Sequence, residues 1–208
     1  MDKAVCLLSG GIDSTVLLHY LLAQNYDVTA ISFDYGQRFK KELDYAKEIC
    51  QHLKVRHLIL KIPLFKGNTI LLNRSSQVPE GRFKDLVKND TIIPNRNMIM
   101  LAIAGSCAVG LKADTLAMAA HRGDIPFFPD CTPAFFNTLE KAFRVGLNKK
   151  IKIYTPFLFK SKVDILRIGK EMGVDFERTW TCYKGGKVSC GKCPSCIERQ
   201  EALREVGL

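Results

Sequence analysis

No run of this 208-residue chain is apolar for long enough to cross a bilayer. The longest such stretch, Met98 to Val109, is interrupted by Gly105 and Ser106, whereas a spanning helix takes about 20 residues. A secretory leader is not legible either, because Asp2 and Lys3 precede only a short apolar run that stops at Ser9. We therefore expect a soluble, cytoplasmic protein with no membrane partner. The Walker pattern G-x-x-x-x-G-K-[ST] is missing. Its nearest approach, Gly186 to Lys192, runs into Cys193 and lies among cysteines. The dinucleotide pattern G-x-G-x-x-G is missing too. There is no internal repeat, no Arg-rich run and no aromatic RNA-binding motif. The formal net charge of +10, most of it carried from Lys141 onward, is thus better matched to an anionic small substrate than to nucleic acid, which we do not expect as a partner. Histidines number four. His19, His52 and His57 fall inside helix or strand patterns, and His121 falls at the end of a strand. Cys131 has no histidine at a telling spacing, so a nucleophilic triad is not indicated.

The composition that remains, 47% hydrophobic and 25% charged, suits a single sizeable core. Strand and helix patterns alternate along it. Strands are expected at Lys3–Leu8, Asp27–Phe33, Arg56–Ile62, Asp114–Ala119 and Lys152–Tyr154. Helices are expected at Ser14–Gln24, Arg38–Leu53, Asn97–Leu111, Thr132–Leu147 and Ser161–Met172. Thr132 with Pro133, and Ser161 with Gly173, supply start and stop residues. Such alternation predicts an α/β fold: a doubly wound, mainly parallel five-stranded sheet covered on both faces. Residues 64–95 break the rhythm and read as a long loop near the site. We expect one main domain over residues 1–175 and a small C-terminal element over 176–208.

The chain opens on a strand, the turn Ser9-Gly10-Gly11-Ile12-Asp13-Ser14-Thr15, and a helix. A strand–turn–helix junction of this kind aims backbone N–H groups at a bound anion, phosphate above all. The alternative is an ordinary glycine turn capped by Asp13 or Ser14. Cysteines are unevenly placed. Cys6, Cys50, Cys107 and Cys131 are scattered, whereas Cys182, Cys190, Cys193 and Cys196 crowd the tail with two C-x2-C steps. Four thiolates at that spacing suit a closed, structural Zn²⁺ site; an iron–sulfur cluster is the rival.

S-G-G-x-D-S-[ST] resembles the PP-loop of the N-type ATP pyrophosphatases, which cleave ATP between the α and β phosphates. Asp34–Arg38 ("DYGQR"), Pro94–Asn97 ("PNRN"), Pro129–Cys131 ("PDC"), Thr155–Lys162 ("TPFLFKSK") and the cysteine tail follow in order. Together these motifs resemble the 7-cyano-7-deazaguanine synthase family over residues 3 to about 203. The resemblance implies an adenine-nucleotide-alpha-hydrolase-like fold and a homodimer. It implies a ligase that adenylates 7-carboxy-7-deazaguanine, lets ammonia displace AMP, and activates the amide in turn to leave a nitrile. Two readings stay open beside it: a diverged member that passes the acyl group to another amine or a protein, and a tRNA-modifying PP-loop enzyme. The sequence departs from the family pattern at Asn95, where glycine is usual, at Phe128, where tyrosine is common, and at Thr132, where arginine is usual.

The resemblance also implies roles. ATP would be held by Leu8, Ser9, Gly10, Gly11, Ile12, Asp13, Ser14 and Thr15, with Ser32 and Phe33. Asp13 would need Mg²⁺ between itself and pyrophosphate. Lys162 begins a helix, where a cation is unfavourable without an anion partner; its alternative is a solvated surface lysine. Arg96 would pair its planar fork with a carboxylate or phosphate, or else form a loop salt bridge. Asp130 and Asp124 would accept N–H groups of the base; for Asp130 the alternative is a helix N-terminal carboxylate. Tyr35, Gln37, Arg38 and Asn97 complete the substrate set. Catalysis would rest on Asp13, Lys162 and Arg96.

Overall fold

Alternating side-chain direction along the strands decides the layers. The computed structural model describes residues 1–38, 40–62, 69, 71–73, 76–82 and 92–208. Within it, β1 (Lys3–Leu7), β2 (Asp27–Asp34), β3 (Arg56–Lys61), β4 (Thr115–Ala117) and β5 (Lys152–Tyr154) form one parallel sheet in the order β3-β2-β1-β4-β5. Successive side chains point to opposite faces. Cys6, Ala30 and Ala117 face one side, and Val5, Ile31 and Leu116 the other. The first side is covered by α1 (Ile12–Ala23), α2 (Lys41–Leu53), α5 (Lys162–Glu171) and α6 (Pro194–Glu205), the second by α3 (Arg96–Leu111) and α4 (Pro133–Gly146). Both sides of the central strands are dry, so these strands read as nearly continuous apolar runs.

Local chemistry sets the helix ends. Thr132 caps α4 by accepting from the Phe135 N–H, and Ser161 and Asp164 form a reciprocal capping box on α5. Gly105 lets α3 and α4 cross closely; a Cβ there would lie 2.6 Å from the Phe143 ring. α2 begins at Lys41 rather than Arg38, and α3 one residue early, at Arg96. α6 is additional to the expected helices. Five of its 12 residues are charged, and its Ala202, with Val206 just past its end, joins the core beside α1 and α5. Residues 64–68, 70, 74–75 and 83–91 of the expected long loop lie outside the described residues, as do positions 39 and 63.

Because β1 is flanked by β2 on one side and β4 on the other, the chain reverses its direction of winding there. Open parallel sheets bind ligands at such a reversal, beyond the carboxyl ends of the strands.

Candidate active site

A cavity of about 470 Å³ opens at that reversal. Leu7 and Leu8 at the end of β1, Phe33 in β2 and Tyr35 just after it, and Met118 and Ala119 after β4 form its apolar floor. The opening turn forms one rim. No side chain caps α1 at Gly11, so its first-turn N–H groups are left for a ligand. The hydroxyls brace the turn. Ser9 Oγ and Ser14 Oγ lie 3.0 Å apart, Gly11 N donates to Ser9 Oγ, and Thr15 Oγ1 donates to Gly11 O at 2.7 Å. Gly10 has φ +80°, and a Cβ there would fall 2.2 Å from the Glu42 carbonyl oxygen. Its bareness is demanded first by packing against α2. Gly10 and Thr15 support the turn from outside the cavity; Ser9, Gly11, Ile12, Asp13 and Ser14 line it.

Across from the turn, the first residue of α5 reaches in. Lys162 Nζ lies 2.5 Å from Asp13 Oδ2 and 3.8 Å from Glu198 Oε2. Burial alone would lower its pKa, but Asp13 and then Glu198 more than offset this, and the ammonium is held charged. Asp13 Oδ1 is buried with no hydrogen-bond partner among the described residues. Asp124 lies close by, taking the His121 N–H at 2.9 Å. Burial raises its pKa, His121 opposes that shift, and the Asp13 charge adds to it. His121 itself accepts from Gly123 N through Nδ1.

A second group gathers on the far wall. Gln37 Oε1 accepts from Tyr35 N and its Nε2 donates to Phe33 O at 3.0 Å and to Glu42 Oε1 at 3.1 Å. Arg96 lies against the Tyr35 ring, its Cζ 5.9 Å from the centroid. Burial pushes the Glu42 carboxyl up to about 7, although Arg96 and the Gln37 bond pull the other way. Arg38 lines the same cavity and donates to Ser76 O. Ser32 and Asp130 do not line it. Ser32 Oγ donates to Leu8 O at 2.6 Å beneath the floor, and Asp130 accepts from Asn97 N and Nδ2 at 3.0 and 3.2 Å. Asp130 thus ties the start of α3, while Asn97 itself borders the cavity. Cys131 accepts from Asn97 Nδ2, and burial pushes its thiol up, away from thiolate chemistry.

The third wall comes from the tail. Trp180, Thr181, Tyr183, Ser195 and Arg199 line the cavity together with Glu198. Beside them the Sγ atoms of Cys182, Cys190, Cys193 and Cys196 all lie within 4.8 Å of one another. Cys190 and Cys196 are 3.8 Å apart, close to the edge of about 3.8 Å that a tetrahedron of 2.3 Å metal–sulfur bonds requires. Backbone N–H groups already serve the sulfurs: Lys184 and Cys190 donate to Cys182, and Lys192 and Cys193 to Cys190. Such a donor set could hold a metal ion.

With this geometry in view, the comparisons decide the family. The profile described as queuosine biosynthesis protein QueC matches residues 3–207. The chain is 43% identical over 208 residues to the 7-cyano-7-deazaguanine synthase of Caldicellulosiruptor saccharolyticus, covering 99% of this chain and 92% of that protein. It is 43% identical over 207 residues to the protein of the same name from Methanoregula boonei, covering 99% and 95%. This chain belongs to the QueC family. Among solved structures, the QueC chain resembles an NMN synthetase from Francisella tularensis (TM-score 0.53, 12% identity, 99% of this chain and 85% of that one). It also resembles an NH₃-dependent NAD synthetase from Campylobacter jejuni (TM-score 0.51, 15% identity, 99% and 74%). These two likenesses show the fold alone.

The structure gives reasons for two of the departures that the resemblance led one to expect. Asn95 stands where glycine is usual and has φ +55°, a left-handed conformation that asparagine adopts more readily than most residues. Thr132 stands where arginine is usual and spends its hydroxyl on capping α4 and donating to Pro129 O. Phe128 borders the cavity, as the family's tyrosine position leads one to expect. Glu42, Tyr183, Ser195 and Glu198 were not singled out by sequence reasoning. A glutamate in an amphipathic helix, or beside a cysteine cluster, reads as solvated surface.

Proposed function

We propose that this chain converts 7-carboxy-7-deazaguanine and ammonia into 7-cyano-7-deazaguanine, using two ATP. The observation that carries this is the uncapped start of α1 facing the Lys162–Asp13 pair across the switch-point cavity, in a chain of the QueC family. A carboxylate oxygen is a poor leaving group until it is esterified. In the first stage that oxygen attacks the α-phosphorus of ATP and pyrophosphate leaves. Ammonia then attacks the acyl carbon, loses a proton, and AMP departs with the bridging oxygen, leaving the amide. In the second stage the amide oxygen attacks a second ATP. Loss of AMP and of the two remaining N–H protons gives the nitrile.

Negative charge builds on the β-phosphate as each α–β bond breaks. Donors fixed in advance at that place stabilise it more than they stabilise ATP itself. The α1 N–H groups and Lys162 are the candidates, with Ser9 and Ser14 holding the turn in shape. The orphaned Asp13 Oδ1 supports a place for Mg²⁺, which would neutralise phosphate charge beside the carboxylate. Four clustered thiols with N–H···S support favour Zn²⁺ in the tail, as a structural ion with no open position.

The test is mass spectrometry of the product formed from 7-carboxy-7-deazaguanine, ammonia and Mg-ATP. The nitrile is expected, with the amide as a transient. Accumulation of an adduct on another amine, or of the unchanged acid, contradicts the proposal.

A further inference from the structure

Four carboxylates line the cavity among the described residues: Asp13, Glu42, Asp124 and Glu198. Three of them belong to the Lys162 group, since Asp13 and Glu198 contact its ammonium and Asp124 faces both Asp13 and Lys162. Glu42 stands apart. It comes from the first turn of α2, which the Gly10 contact presses against the opening turn. One of its oxygens, Oε1, is held by Gln37, and Gln37 is itself 4% exposed with its amide tied to Tyr35 N and Phe33 O. Oε2 has no hydrogen-bond partner among the described residues. The neighbours of Glu42 are the Arg96 guanidinium and the Tyr35 phenol, joined on that wall by Tyr183.

A preset carboxylate beside a guanidinium is complementary to an edge that offers two adjacent N–H donors and then an acceptor. Guanine-type rings present that edge, with the 2-amino group, N1–H and the 6-oxygen in a row. Adenine pairs its single amino donor with an acceptor nitrogen and does not match. The carboxylate meets its desolvation cost only when such donors arrive. The residue for which sequence reasoning reserved this task, Asp130, has both oxygens committed to Asn97.

We propose that Glu42 is the specificity-determining residue of this site: its carboxylate accepts the 2-amino and N1 hydrogens of a guanine-type base while Arg96 takes the 6-oxygen. The assignment rests on the reaction proposed above and deepens it. It makes the enzyme selective for 2-amino-bearing rings. A site built around N–H donors rejects analogues that lack them, because its own polar group is then left unpaired.

Wild type and Glu42→Gln are compared on 7-carboxy-7-deazaguanine and on the same acid without its 2-amino group, 7-carboxy-7-deazahypoxanthine. Two readouts are taken, kcat/KM with ammonia and Mg-ATP, and equilibrium binding of each acid without ATP. Wild type should prefer the amino-bearing acid on the order of 100-fold. Glu42→Gln, which keeps the shape, should bring the two acids to within about tenfold by loss on the guanine acid, with KM for ATP unchanged. An equal loss on both acids, or a preserved preference, overturns the assignment. If wild type binds the acids with the stated preference but turns over neither, the proposed reaction fails, and the binding preference of Glu42→Gln still decides the role of Glu42. A wild type that binds neither acid overturns both.

Discussion

Lys162 opens α5 with a charge that the helix dipole disfavours, and it stays charged because Asp13 and Glu198 surround it. On the proposed mechanism, its reach to the opening turn gives it a task in the transition state rather than in nucleotide binding. Lys162→Met should therefore lower kcat by about 100-fold with KM for ATP close to that of wild type. A rise in KM at unchanged kcat would assign Lys162 to ground-state binding instead. Glu42 makes a different prediction, about pH. Its folded pKa is raised, from 4.5 to about 7, so the native state binds the extra proton and stability falls as pH rises through that window. Arg96 from α3, Tyr35 after β2 and Gln37 are the groups that face it. The stability advantage of Glu42→Gln over wild type should be absent at pH 4, open between pH 4.5 and 7, and stay constant above. Denaturant unfolding curves that run parallel across that range would contradict it. Neither placement is written in residue type alone. Lys162 was legible because a lysine at a helix start asks for an anion, whereas Glu42 sits at a helical position that looks solvated until α2 is seen to press on Gly10.

At the scale of elements, strands and caps were readable because their causes are local. Short continuous apolar runs, buried on both faces, mark β1 and β2, and Thr132 and Ser161 mark the starts of α4 and α5. α6 was not readable, since polar and charged residues together predominate in it and its few apolar side chains join the core that α1 and α5 share only through long-range packing. That helix matters to the site because the cysteine cluster holds its first turn. Cys193 is the residue from which α6 starts, and Ser195, Glu198 and Arg199 on it line the cavity. Trp180 is fixed into the same element by Lys41, whose ammonium lies 3.9 Å from its ring centroid and bonds Gly186 O and Lys187 O. On the proposed reading, a metal held by these four cysteines would be structural for the third wall of the cavity as well as for the tail. Elemental analysis should find one zinc per chain. Cys193→Ser should lose that zinc and the activity together, because binding a structural metal is folding free energy. Iron with sulfide in the protein, or a metal-free variant that keeps full activity, would contradict this account.

At the scale of the molecule, the order β3-β2-β1-β4-β5 places the opening turn beside the point where winding reverses. The alternation of patterns along the chain implies a parallel sheet covered on both faces. It does not imply the strand order, which depends on long-range packing of Val5, Ile31 and Leu116 against α3 and α4. The reversal brings the ends of β1, β2 and β4 together, so that one cavity receives the α1 N–H groups, Lys162 and the Glu42–Arg96 wall. The central claim about that cavity is that it stabilises pyrophosphate leaving the α-phosphorus, twice per nitrile. Oxygen-18 in both positions of the substrate carboxylate tests it directly. Each of the two AMP molecules should carry one labelled oxygen, with unlabelled pyrophosphate. Label in orthophosphate, with ADP as the nucleotide product, would mean γ-phosphoryl transfer and would contradict the account.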